Sequence, residues 1–183
     1  AAYMTATETD YDHKNWIAAR ADPIVRDIIS CNFVGVKNVE KTPADSRADI
    51  DGADYIVSFH GGGVKRIDVK ARMHDYKKND VVLELISNLE ECTAGWALRS
   101  DKTTDLVIFV CVDTGTYHIF PFPQLMRVAQ MHYKRWRSKY RVIQQTTQDK
   151  RPNRKRDQYT SQAVIVPVKD LVDHIISLMT EGV

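Results

Sequence analysis

Hydrophobic positions change period several times along the chain, and each change marks an element. In "NWIAARADPIVRDIISC" the apolar residues Ile24, Val25, Ile28 and Ile29 recur at helical spacing. Asp22 followed by Pro23 is an N-cap and first-turn proline signal, so the pattern predicts a helix that starts or kinks there. Residues 55–59 and 64–71 then alternate apolar with polar around Gly61, Gly62 and Gly63, which predicts a β-hairpin. "DVVLELIS" (80–87) reads as a third strand continuing a meander, and "TDLVIFVCV" (104–112) as a strand buried on both faces. "TYHIF" (116–120) is placed to pair with it. From Pro123 the period becomes helical again, with Leu125, Ala129, Tyr133, Trp136 and Tyr140 on one side. "QQTTQDKRPNRKRDQYTSQ" reads as a polar loop, "AVIVPV" as an edge strand ended by Pro167, and "KDLVDHIISLM" as an amphipathic helix.

This order predicts an α/β or α+β fold, in which helices flank a mixed central β-sheet. With 183 residues and no visible repeat or linker, the expectation is a single domain over residues 1–183. Hydrophobic content of 43% and charged content of 27% belong to a soluble globular chain. No apolar run approaches the roughly 18 residues of a membrane span, so no membrane partner is expected. The acid-containing start lacks the apolar core of a signal peptide. Cys31, Cys92 and Cys111 have no paired spacing, which argues against a disulfide framework or a structural zinc site and for a cytoplasmic location.

The net charge of +2 hides an asymmetry that changes this picture. Between Arg127 and Arg156 there are eleven Lys/Arg and one acid, Asp149, whereas the remainder has 15 Lys/Arg and 23 Asp/Glu. A segregated basic block is built to meet a polyanion, and without a strong apolar partner face it points to nucleic acid. Lys134, Arg135, Arg137, Lys139 and Arg141 are the expected phosphate contacts within "MHYKRWRSKYR". Lys150, Arg151, Arg154, Lys155 and Arg156 would form a clamp. Phosphate-directed contacts serve DNA and RNA alike.

Candidate chemistry lies on the hairpin. Residues i and i+2 of a strand share a face, so Asp68 and Lys70 project together. If the glycines form a three-residue loop, Asp54 lies opposite Lys70 and Ile56 opposite Asp68. Asp54, Asp68 and Lys70 then converge; a one-residue slip would separate them. Two carboxylates beside a lysine suit Mg²⁺, or Mn²⁺, together with phosphate oxygens, the lysine orienting water or offsetting developing charge. Glu84 stands on an otherwise apolar strand face and is a fourth candidate. The bland alternative is a solvated cross-strand ion pair. Asp51 reads as a turn residue, and "HGGG" as a hairpin turn rather than an esterase oxyanion segment, since no G-x-S-x-G exists. None of the six histidines has i, i+4 metal spacing.

The stretch "DGADYIVSF…RIDVKAR…LELIS…GWALRSDKTTDLVIFV" resembles the PD-(D/E)XK nuclease superfamily, and is similar to its small phage-type members. The resemblance implies a restriction-endonuclease-like core of helix, three strands, helix and strand. It also implies a metal-dependent endonuclease or nickase acting on DNA phosphodiesters. By that match Asp54 is the first acid, Asp68 the second and Lys70 the motif lysine. Val69 would lend its carbonyl to the metal, and Glu84 would sit where an additional acid or amide is common. Ala53 replaces the motif proline, and Asp22 is the accessory-acid candidate on the first helix. A phage-encoded member would work in the host cytoplasm, and double-strand cutting by so small a chain would favour a homodimer. The alternative is a nuclease-fold chain that binds nucleic acid, as an accessory factor or inhibitor, without cutting it.

Overall fold

The computed structural model describes residues 9–43, 46–74, 79–148 and 158–181. They form a mixed α+β protein with two sheets. The backbone contacts divide the chain into two compact units. One is built from Asn15–Lys77 and Ser100–Gln124, the other from Ala1–Lys14, Lys78–Arg99 and Leu125–Val183. Among the described residues no helix is long and apolar enough to cross a membrane. Cys31, Cys92 and Cys111 are all free.

The first unit holds a five-stranded sheet. In chain order it contains most of α1 (Thr9–Asn32), then β1 (Val36–Lys41), the short α2 (Arg47–Ile50), β2 (Tyr55–Phe59) and β3 (Val64–Arg72). After a long excursion come β6 (Leu106–Cys111) and β7 (Tyr117–Pro121). The strand order is β1-β2-β3-β6-β7. Only β3 and β6 run parallel, and parallel neighbours require a crossover. α1 supplies Ala21, Val25, Ile28 and Ile29 to a core with Tyr55, Val57, Ile67, Ile108 and Val110. The odd-numbered positions of β2 and β3 therefore face the helix, and the even-numbered positions of β3 face away. β6 is buried at every position from Val107 to Cys111, as its unbroken apolar run predicts.

The second unit carries the sheet β5-β4-β9-β8, antiparallel throughout. Its elements are β4 (Asp80–Asn88), β5 (Thr93–Ala94), a 3₁₀ turn at Trp96–Leu98, β8 (Val142–Gln148), β9 (Gln158–Pro167) and α4 (Val168–Thr180). α3 (Phe122–Lys139) belongs to this unit from Leu125 onward. Val81, Leu83 and Leu85 of β4 alternate inward with Val164 and Val166 of β9. α3 and α4 meet where the rings of His132 and His174 stack, 3.9 Å between centroids, beside Trp136.

Four expectations are corrected here. α1 does not start at Pro23 but runs through it. Pro23 and Ala19 are both exposed, so the carbonyl that loses its amide partner faces solvent. The three-strand meander does not form, because β3's second neighbour is β6 and β4 pairs with β5 and β9. Alternation fixes which face of a strand is buried and leaves its partner open. Among the described residues no α-helix lies between β4 and β6, where the resemblance implies one, and β5 and the 3₁₀ turn stand there instead. Finally, the two ends of the polar stretch expected as a loop pair with each other, Gln144–Gln148 in β8 against Gln158–Gln162 in β9, its middle lies outside the described residues, and β9 is an inner strand. Pro167 is tolerated because it ends β9, opposite Asp80.

Candidate functional site

Asp54 stands one residue before β2, and its backbone is pinned on both sides. Its N–H donates to the Ile67 carbonyl at 2.9 Å, and its carbonyl accepts from Thr42 N–H at 2.9 Å, just past the end of β1. Beyond this point β3 has no β2 backbone to pair with. The Asp54 carboxylate fills that gap by accepting from Val69 N–H at 2.6 Å. A residue's N–H and C=O point to the same edge of a strand, so the Val69 carbonyl is directed along the edge that Asp54 occupies.

The register differs from the expected one by two residues. Tyr55 pairs with Ile67, and Ser58 with Val64, which leaves five residues in the turn rather than three. Gly62 and Gly63 make that wider turn possible with φ of 86° and 90°. A slip of two preserves the face, whereas a slip of one would have reversed it. Continued by one residue, this register sets Asp54 opposite Asp68 instead of Lys70, close enough for the charge of Asp68 to act on the Asp54 carboxyl.

Asp68 is 3% exposed, in the middle of the sheet on the face away from α1. Its Oδ2 lies 3.0 Å from the Lys70 ammonium and 3.5 Å from that of Lys102. That oxygen is buried and lacks a well-aligned hydrogen-bond donor, so the two lysines approach it as charges. Burial acts to raise the Asp68 pKa, but the charges of Lys70 and Lys102 outweigh it and hold Asp68 below the usual carboxylate range. Asp54 moves the other way. Burial, then the charge and hydrogen bond of Asp68, push it up to about 7 against the opposing pull of Lys70 and Val69 N–H. Of the pair, Asp54 is thus the acid that holds a proton more readily and Asp68 the one that ionises first.

Lys102 is the residue that sequence reading missed. It lies in the segment entering β6, which is clipped to the loop before β2: Thr103 N–H donates to the Asp51 carbonyl at 3.1 Å, and Thr104 Oγ1 to that of Gly52 at 2.6 Å. The only signal was the basic residue close ahead of the buried strand, which no spacing rule connects to Asp68.

The other candidates have partners of their own. Asp22 is not brought to the acid pair: it accepts from Tyr55 Oη at 2.6 Å and pairs with Arg26 at 3.1 Å. Strand alternation explains the outcome, since Tyr55 projects into the α1 core while Asp68 projects from the opposite face. Glu84 lies on β4 in the other unit's sheet, where its carboxylate accepts from Trp96 N–H at 3.4 Å. Gly95 brings the 3₁₀ turn this close, since a Cβ there would stand 2.4 Å from the Glu84 carbonyl oxygen. Asp51 ends α2 and pairs with Arg47 at 2.9 Å, as a turn residue should. Among the described residues no group of three or more His, Cys, Asp or Glu is assembled to hold a metal.

In α3, Leu125, Val128, Ala129 and Trp136 are buried, while Arg127, Lys134, Arg135, Arg137 and Lys139 are exposed, and so is Arg141 just beyond. Arg127, Lys134 and Arg137 recur at i, i+7 and i+10, forming one exposed basic stripe on a helix that contains no acid. Lys139 is partly committed, 3.3 Å from Asp170 and 4.9 Å above the Tyr140 ring. Lys150, Arg151, Arg154, Lys155 and Arg156 lie outside the described residues. No family model, characterised protein or solved structure matches the chain.

Proposed function

We propose that the chain is a metal-dependent nuclease or nickase that hydrolyses nucleic-acid phosphodiesters, DNA being the favoured substrate. One observation carries the reading: the register sets Asp54, just before β2, opposite the buried Asp68 of β3 on one sheet face, with the Lys70 ammonium 3.0 Å from Asp68. The donor set fits a hard divalent cation. A buried carboxylate oxygen is met by ammonium charge without a well-aligned hydrogen bond, and the second acid beside it is hard to ionise. Both conditions are relieved when oxygen ligands meet Mg²⁺ or Mn²⁺, and Mg²⁺ sites commonly use one or two carboxylates, with waters and substrate phosphate completing the shell. The reading needs no third carboxylate, and Glu84 is not called upon.

When bound, such a cation supplies an acidified water and offsets charge on the phosphoryl group. Asp68 and Asp54 would hold it, together with the Val69 carbonyl. Lys70 would orient the attacking water or stabilise the charge growing on a phosphoryl oxygen. The basic stripe of α3 would grip the phosphate backbone without reading sequence.

Incubating the purified chain with supercoiled plasmid in Mg²⁺ and in Mn²⁺ tests this. Nicking or linearisation is expected, with a loss of at least about 100-fold in Asp68→Asn and Lys70→Ala. Cleavage that survives both substitutions removes these residues from the mechanism. A second reading, nucleic-acid binding without cutting, is favoured by the same network, because two acids satisfied by each other and two lysines can also serve the fold alone. It predicts salt-sensitive binding that survives both substitutions, and no cleavage by wild type.

A further inference from the structure

Asp68 has more positive charge than a simple ion pair requires. Lys70 already stands 3.0 Å from its Oδ2, yet a second ammonium, that of Lys102, is brought to 3.5 Å of the same oxygen. The Lys102 side chain is only 8% exposed, a costly placement for an ammonium whose four-carbon stem would otherwise reach water. The backbone has been cleared to receive it. Gly52 adopts φ of +97°, and a Cβ there would meet the Cδ and Nζ of Lys102 at 3.1 Å and Thr104 Oγ1 at 2.5 Å. The two residues after Lys102 are hydrogen-bonded to Asp51 and Gly52, so the lysine is delivered from a fastened segment.

A cation fixed on a carboxylate oxygen competes with any other cation for that oxygen. With both acids ionised, two carboxylates and two ammonium groups sum to zero, so a divalent ion entering the cluster meets no net attraction. Removing one ammonium leaves a net charge of −1. At separations of a few ångströms that change weighs heavily on a doubly charged ion.

We propose that Lys102 is a positioning residue of the acid pair, an internal counter-cation that holds Asp68 in place and competes with the divalent metal for it, thereby setting metal affinity. This rests on the metal-centre reading above and extends it to a residue outside the acid–acid–lysine motif. In the metal-free state Lys102 keeps the buried carboxylate compensated. In the metal-bound state its ammonium must give up that oxygen, and this exchange weakens binding.

The test uses Mn²⁺ alone, without nucleic acid, titrated into the full chain at pH 8 and followed by calorimetry or by the spin signal of free Mn²⁺. Lys102→Met and Lys102→Gln should bind Mn²⁺ at least about tenfold more tightly than wild type, a floor well below the full Coulomb effect of deleting a charge a few ångströms from a divalent ion. Lys102→Arg, which keeps the charge, should stay within about threefold of wild type. Asp68→Asn should abolish binding in every background. Equal or weaker Mn²⁺ binding by folded Lys102→Met and Lys102→Gln overturns the competition and leaves a purely structural lysine.

A second measurement needs no neutral variant. In the wild-type chain, Mg²⁺ should shift the side-chain Cε resonance of Lys102, assigned by its disappearance in Lys102→Arg, and an unmoved resonance at saturating Mg²⁺ likewise sinks the proposal. If wild type binds metal and Lys102 variants do not differ, the nuclease reading stands and this one fails. If no variant binds metal, both fall.

Discussion

The carboxylate of Asp54 accepts the backbone N–H of Val69 at 2.6 Å, so a side chain completes the ladder that β2 leaves one residue short. The same group is one half of the acid pair, which means its structural and chemical roles can be separated by substitution. Asp54→Asn keeps an amide oxygen for Val69 and loses the charge. It should melt close to wild type and fail to bind Mn²⁺. Asp54→Ala leaves the Val69 N–H without its partner and should cost about 1–3 kcal/mol in denaturant unfolding. Equal stability of the two variants would show that the hydrogen bond contributes nothing.

The displaced pKa of Asp54 makes stability depend on pH in an unusual direction. Its folded value, about 7, lies above the ordinary 3.8, so the folded chain keeps a proton that the unfolded chain releases. The contribution is fully present below the unfolded value and is lost as pH rises toward the folded one, at no more than about 1.4 kcal/mol per pH unit. Asp68, held low, acts in the opposite sense and only in acid, its contribution fading as pH falls below the usual carboxylate range. In chelator, urea unfolding should therefore show stability declining between pH 5 and pH 7, and Asp54→Asn should flatten that slope. A slope unchanged by the substitution would place the proton elsewhere.

Gly52 offers a prediction about shape alone. Alanine there must adopt a left-handed φ and push against Thr104 Oγ1 and the Lys102 stem. A loss of about 2 kcal/mol or more in chemical denaturation is expected. Alanine at Gly61, where nothing stands within 4 Å and φ is not left-handed, should be near neutral and serves as the control.

The exposed stripe of α3 is tested by salt. Replacing Arg127, Lys134 or Arg137 with Gln should weaken DNA binding across unrelated sequences, and each change should reduce the slope of log K against log salt by about one. Arg127→Gln is the most informative of the three, since it stands apart from the dense cluster around Lys134. A slope indifferent to all three would move the nucleic-acid interface off this helix.

The pleat of Asp68 and Lys70 could be read directly from sequence, because a period of two needs no partner. The face shared with Asp54 was legible for the same reason, even though the register was off by two. A five-residue turn and a three-residue turn differ by an even slip, and parity is all that alternation reports. What could not be read was partnership. That β3 lies against β6, that β4 joins β9, and that Lys102 reaches Asp68 are contacts between residues far apart in sequence, determined by packing. The polar repeats flanking residues 149–157 misled for a related reason: glutamines and threonines make poor apolar signals, yet they pair strand to strand once β9 is anchored by β4.

The parallel pairing of β3 with β6 has a consequence for how this protein is made. Everything needed for the acid pair and its first lysine has left the ribosome by Lys70, yet β3 gains its second neighbour only when Leu106–Cys111 emerges, and Lys102 comes only just before it. In between, the chain must lay down strands that belong to another sheet. Nascent chains halted between these points would carry the motif intact on a half-formed sheet, with one side of β3 open to strangers. Folding of this centre is therefore late and non-local, and substitutions within β6, a strand with no charged residue of its own, should be the ones that slow it most.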